Sequence, residues 1–64
     1  MAYEVTNVSR GPLYENLDTK DVQGNLEVLN LGVRQKATLT DKQWASASVQ
    51  RHIRRKRLRS RKLS

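Results

Sequence analysis

Cysteine and phenylalanine are absent from this sequence, and its 64 residues include one histidine, one proline and three glycines. Without cysteine the chain can form neither a disulfide nor a thiolate metal site. The single histidine, His52, would need several carboxylate partners to build a zinc site. We therefore expect no metal and no cofactor. The lack of cysteine fits a reducing cytoplasm, or a particle assembled there.

Long apolar runs are missing as well. No stretch approaches the roughly 18–20 apolar residues that a membrane-spanning helix needs. The first ten residues, MAYEVTNVSR, lack the charged leader and apolar run of a secretory signal. The sequence therefore predicts a soluble protein or a component of an assembly, without a membrane partner.

Acidic residues are missing after Asp41, although the whole chain carries a formal charge of +7. Residues 1–50 hold five basic side chains against six acidic ones, whereas residues 51–64 hold eight basic side chains and no acid. This division predicts a near-neutral β-rich body at 1–50 and a basic C-terminal arm at 51–64. The basic residues of the arm are Arg51, Arg54, Arg55, Lys56, Arg57, Arg59, Arg61 and Lys62.

The predicted body is small for an independent domain. A core of this size rarely supplies more than about 3–5 kcal/mol, and very short chains usually need disulfides, metal or association. Since the sequence offers no disulfide or metal site, association is the remaining source of stability. We expect a body that is marginal alone and completed by a neighbouring chain.

Alternating apolar residues predict three or four short strands. The segments are YEVTNV, LYENL and the longer LEVLNLGVRQKATL, in which a phase slip over Val28 and Leu29 suggests a bulge or burial on both faces. SRGP marks a turn, and DTKDVQGN reads as a polar loop. Asp18 and Asp21 in that loop are better explained as a solvated turn than as a catalytic or metal-binding pair, because no third ligand is nearby.

A helix start follows the strands. Thr40 and Gln43 have the spacing of a capping box, and Asp41 complements the helix dipole in the first turn. Trp44 is expected to anchor the helix in the core rather than to stack on a nucleic-acid base. A second helical stretch, re-capped near Ser46 or Ser48, places Val49 and Ile53 on one apolar edge. The predicted class is α+β, with a small antiparallel sheet or hairpins, a short C-terminal helix and the basic extension.

Groups that could carry catalysis do not converge in the sequence. His52 is expected to be exposed or half-packed, and no serine or cysteine nucleophile can be assigned to it. No phosphate-binding loop is present. We therefore expect a protein that is not an enzyme.

The eight charges of the arm repel one another and would be stabilised by a polyanion or an acidic protein surface. Arginine outnumbers lysine six to two there, and its planar fork suits phosphate and carboxylate. A solubilising tail would more often have mixed charge, and RRKR also matches a weak nuclear-import cluster. A membrane-surface helix is disfavoured, because it needs one continuous apolar face. The spacing of Val49, Ile53, Leu58 and Leu63 would place them on different sides of a helix.

Three segments together resemble a group of very short bacteriophage proteins. They are VTNVSRGPLYENL, the GNLEVLNLG segment and LTDKQWASASVQRHI, which span roughly residues 5–53. The resemblance implies a small structural protein of a phage head, neck or tail. The similar proteins often end through a glycine and a short apolar strand, whereas this chain has Arg54-Arg55-Lys56-Arg57-Leu58 in that place.

The resemblance and the charge division lead to one functional expectation. The chain is expected in the virion, in multiple copies, as a minor structural protein docked on a larger capsid, portal or tail protein. Its arm would contact an acidic surface of that protein, or packaged DNA. The alternative is a small ribosomal or other RNA-binding protein, which is disfavoured because the body is net −1 and lacks an aromatic base-stacking face.

Overall fold

The structure, a computed structural model, describes residues 2–63. Within this range, five strands and two short helices follow one another. They are β1 (Ala2–Asn7), β2 (Leu13–Lys20), β3 (Leu26–Leu31), β4 (Lys36–Thr40), α1 (Asp41–Trp44), α2 (Ala47–Arg54) and β5 (Leu58–Lys62). The strands form an antiparallel three-stranded sheet in the order β4-β1-β5 and a separate β2–β3 hairpin. The expected small α+β fold with antiparallel pairing is confirmed.

The hairpin explains the phase slip in the sequence. Leu29 and Leu31 of β3 are buried, whereas Leu26 and Val28 are exposed on the other phase. The irregularity lies in β2, because Asn16 pairs with Val28 but the next registered pair is Lys20 with Leu26. The extra residues are therefore accommodated in β2. The long LEVLNLGVRQKATL segment is two strands, β3 and β4, with a turn at residues 32–35 between them.

The helices begin where the sequence predicts. Thr40 caps α1, with its hydroxyl accepting from the Gln43 amide while the Gln43 side chain accepts from the Thr40 amide. Ser46 occupies the N-cap position of α2, but its side chain makes no cap bond there. Its hydroxyl instead accepts from the main-chain amide of Asp18, and the Asp18 carboxylate accepts from the Ala47 amide. The start of α2 is thus fastened to β2.

One core joins the two sheets and the helices. Its buried apolar members are Val5, Leu13, Leu17, Leu29, Leu31, Leu39, Val49 and Leu58, and Ala37, Trp44 and Ile53 pack against them half-buried. Asn7 is also completely buried, at the end of β1. Its Nδ2 lies within 3.1 Å of the carbonyls of Gly11, Leu31 and Gly32, and its Oδ1 accepts from the amide of Ser9. This network explains the Asn7, Ser9 and Gly11 spacing in VTNVSRGP.

The expected C-terminal helix and basic extension are not confirmed, because a strand, β5, follows the last helix. Residues 51–54 belong to α2, and β5 pairs with β1 from Tyr3 opposite Lys62 to Asn7 opposite Leu58. Leu58 is only 3% exposed and belongs to the core. The helix is therefore followed by a further strand, and the sheet is completed by the residues that sequence analysis assigned to an arm. Ser64, the last residue of that arm, lies outside the described residues.

The expectation that His52 is exposed or half-packed is wrong. Its side chain is buried, and Nε2 lies 2.8 Å from Oε1 of Glu15 on β2. Because Glu15 is 37 positions away in sequence, no local pattern indicates this partner.

Candidate docking surface

The fold divides the eight basic residues of the C-terminal segment among three places. Arg51, Arg54, Arg55, Lys56 and Arg57 are exposed along the end of α2 and the turn after it; we call this group the helix end. Arg59 and Arg61 alternate on the solvent-facing side of β5. Lys62 lies in the same register as Tyr3, on the opposite side of that sheet. The sequence therefore identified the charged residues, whereas the structure separates them.

The helix end has a structural explanation for part of its charge. Arg51 and Arg54 lie in the last turn of α2, where cations interact favourably with the helix dipole. Lys56 adopts a left-handed conformation with φ 60°. The amide of Lys56 donates to the Ile53 carbonyl, and the Arg57 amide donates to the His52 carbonyl. These two bonds form a Schellman motif with lysine at the position that usually holds glycine.

The solvent-facing side of the three-stranded sheet carries a different basic group. Lys36, Arg59 and Arg61 line a shallow cleft of about 270 Å³ together with Glu4, Thr6 and Val8. Glu4 and Arg61 face each other across β1 and β5, with Oε1 and an arginine Nη 3.4 Å apart. Arg59 lies opposite Thr6 and has no ion pair within residues 2–63. Arg59 is thus available to an external carboxylate.

A second depression adjoins this cleft and shares Thr6 and Val8 with it. Its remaining lining comes from two turns: Ser9 and Arg10 after β1, and Val33 and Arg34 after β3. Val8 and Val33 are 45% and 46% exposed, so apolar side chains lie between the arginines. We call the two depressions together the outer face. It combines five basic side chains with one carboxylate and two exposed valines.

The sequence pattern does not indicate Arg10, Arg34 and Lys36 as members of this surface. All three belong to residues 1–50, whose acidic side chains cancel the basic ones in the net charge. A count of charge along the sequence therefore does not reveal a basic group there. One signal was present: Val8 falls out of phase with β1, and an apolar residue that leaves the buried phase of a strand is a candidate for exposure.

Trp44 lies at the border of the core and is half-buried. Its indole stacks on the Tyr3 ring with centroids 4.1 Å apart and planes inclined by 10°. The indole Nε1 is buried and has no hydrogen-bond acceptor among residues 2–63. Because one face is occupied by Tyr3, this arrangement matches packing of α1 against β1 better than a free platform for a base.

The carboxylates and the histidine have structural roles in the fold. Glu15 contacts His52 and lies 3.7 Å from Arg51, which holds α2 against β2. Asp21 accepts from the amides of Gln23 and Asn25 and so closes the hairpin turn. The Ser48 hydroxyl donates to the carbonyl of Asn16. Within residues 2–63, no three histidine, cysteine or acidic side chains form a group that could hold a metal ion.

Comparisons with known proteins identify no relative of this chain. Searches against protein families, curated proteins and solved structures gave no significant match to this chain. Across residues 2–63, neither helix has the length and apolar character needed to cross a membrane.

Proposed function

We propose that this chain is a minor structural protein of a bacteriophage particle, which docks through its outer face on an acidic surface of a larger capsid, portal or tail protein. The observation that carries the docking is the exposed combination of Arg10, Arg34, Lys36 and Arg59 with Val8 and Val33. The phage setting rests on the sequence resemblance. In this account the protein acts by binding and is not an enzyme.

The composition of the outer face favours a protein partner over nucleic acid. Protein interfaces combine an apolar centre with arginine and a polar rim, and Val8 and Val33 supply such a centre. A phosphate backbone offers nothing for the valines to pack against, and Glu4 would repel it. Packaged DNA and RNA are therefore the less favoured partners.

The helix end has a secondary part in this proposal. Its cations are exposed, but they lie at the C-terminus of a helix. Some of them stabilise the helix dipole and others form the cap, so their presence there has a structural reason. The apolar residues between them are Ile53, which is half-buried, and Leu58 just beyond, which is buried, so neither can form the centre of an interface. Their expected contribution is long-range attraction to an acidic partner rather than specific contact.

The test is whether the chain copurifies with phage particles and which residues touch the neighbour. Particles banded on a density gradient are treated with a zero-length carbodiimide, which joins lysine amines to nearby carboxylates, and the linked peptides are identified by mass spectrometry. We expect the chain in the particle band, with Lys36 linked to an aspartate or glutamate of a larger particle protein. Absence from particles together with recovery in ribosomal fractions would overturn the proposal in favour of RNA binding.

A further inference from the structure

The outer strand of the three-stranded sheet, β5, has an edge that no other strand occupies among residues 2–63. Its burial pattern shows Arg59, Arg61 and Lys62 exposed and Ser60 half-buried. The corresponding edge of β2 is different, because the Ser46 and Ser48 hydroxyls bond its main chain at Asp18 and Asn16. The edge of β2 is therefore covered by side chains of the helical segment, whereas the edge of β5 is open.

The pairing of β5 with β1 shows which main-chain groups face this edge. The amide of Val8 donates to the Arg57 carbonyl, and the amide of Leu63 donates to the Ala2 carbonyl. Since an antiparallel strand points its amide and carbonyl groups to alternate sides at successive residues, Arg57, Arg59, Arg61 and Leu63 bond toward β1. Ser60 and Lys62 then direct their amides and carbonyls outward.

We infer that the β5 edge is a strand-addition site for an extended segment of a partner protein with acidic residues at alternate positions. An added strand would bond the main chain of Ser60 and Lys62, which places its intervening side chains beside Arg59 and Arg61. Glu4 on β1 already lies opposite Arg61 and forms an ion pair with it. The added strand would supply the same contact from the other side. This inference rests on the proposed docking function and specifies the form of the partner.

Charge excludes a second copy of the chain as the occupant. Antiparallel pairing of two β5 strands centred on Ser60 would place Arg59 of each copy opposite Arg61 of the other. Like charges directly opposite in a sheet are destabilising. The same arginines that discourage edge-to-edge self-association select an acidic strand.

The test uses the full chain and a short probe peptide, acetyl-TEVEVT-amide, with acetyl-TKVKVT-amide as the charge control. Binding is followed by NMR, through shift changes and hydrogen-exchange protection of the Ser60 and Lys62 amides. We expect the acidic peptide to protect these two amides, with an affinity that falls as salt rises. Equal binding of the lysine peptide would overturn the charge argument.

Two proline variants test the edge itself. Ser60→Pro removes an outward amide while leaving the amides that bond β1 in place, and proline is tolerated on such edge strands. We expect about a tenfold or greater loss of peptide affinity, from one lost hydrogen bond and the bulk of the ring. Ser60→Thr, which keeps the amide, should bind as the wild type does. If Ser60→Pro does not fold, Lys62→Pro provides the same test.

A third variant separates this inference from the proposed docking function. Lys36 lies on β4, two strands away from the open edge, so Lys36→Gln should weaken docking on the particle protein and leave peptide addition unchanged. Peptide binding that survives both proline variants would overturn the edge inference while leaving the outer face intact as a docking surface. Unchanged docking by the Lys36 variant would count against the proposed function instead.

Discussion

The side-chain amide of Asn7 donates to the main-chain carbonyl of Leu31 at 3.1 Å, and this buried bond joins the three-stranded sheet to the β2–β3 hairpin. The same side chain bonds the turn after β1 through Ser9 and Gly11. A single polar residue thus fixes the position of two sheets and one turn. The Arg10 side of the outer face depends on that turn.

Replacing Asn7 by aspartate should destabilise the fold strongly. The carboxylate keeps the size of the side chain but cannot donate to the carbonyls of Gly11, Leu31 and Gly32, of which the first and last keep a second donor in the Ser9 hydroxyl and the Gln35 amide. Losing the buried bond to the Leu31 carbonyl costs about 1–3 kcal/mol, and a buried carboxylate beside three carbonyl oxygens adds to this cost, so we expect a loss of about 3 kcal/mol in the free energy of unfolding by urea. Ser9→Ala, which removes one hydroxyl from the same network, should cost only about 1 kcal/mol. Equal stability of the aspartate variant would contradict this role.

Removing residues 54–64 should abolish the cooperative fold rather than release a body that folds alone. The deletion takes away β5 and with it Leu58, whose substitution by alanine alone should cost about 2–5 kcal/mol. We expect the truncated chain to lose its native circular dichroism and its sharp urea transition. A full-length Arg59→Gln, Arg61→Gln variant is the matched control and should remain folded. Cooperative unfolding of the truncated chain would show that β5 is dispensable.

Lys56→Gly should stabilise the protein. Lys56 has φ 60°, a conformation that costs an ordinary residue about 1–2 kcal/mol and glycine very little, although glycine loses more entropy on folding. The expected net gain is about 1 kcal/mol in the free energy of unfolding. Arg55→Gly is the control: Arg55 has φ −86°, so glycine has no conformational advantage there and should destabilise slightly. Stabilisation by both changes would argue against the conformational explanation.

Substitutions of Trp44 distinguish a role in core packing from a role in stacking on a nucleic-acid base. Trp44→Ala should cost about 3 kcal/mol, at the lower end of the range for large aromatic residues because the indole is only half-buried. Trp44→Phe keeps the stack on Tyr3 and removes the unpaired Nε1 donor, so it should cost about 1 kcal/mol or less. Urea unfolding measures both. A variant that is fully stable but loses binding to single-stranded RNA would support the stacking interpretation.

The parts of the fold that sequence analysis predicted are those that short-range chemistry determines. The capping box of Thr40 and Gln43 needs only residues three apart, and the start of α1 is confirmed at Asp41. The alternation in LYENL predicts a strand, and β2 begins there with Leu13 and Leu17 buried on one side. In each case the interacting groups are close in sequence, so their spacing carries the information.

Strand β5 could not be predicted in this way, because its sequence LRSRK has one apolar residue and no β-branched one. It becomes a strand through pairing with β1, more than fifty positions earlier. The burial of His52 likewise depends on Glu15. The outer face brings together residues from β1, β4, β5 and two turns, so its charge is visible only after folding.

Docking through the outer face is tested by comparing two matched charge-neutralised variants in particle assembly. One variant replaces Lys36, Arg59 and Arg61 of the outer face by glutamine; the other replaces Arg54, Arg55 and Arg57 of the helix end by glutamine, so that each removes three charges. Circular dichroism first establishes that both remain folded, and quantitative mass spectrometry of purified particles then gives the copies of the chain per particle. We predict that the outer-face variant is largely lost from particles while the helix-end variant is incorporated near the wild-type level. Normal incorporation of the outer-face variant would contradict docking through this surface.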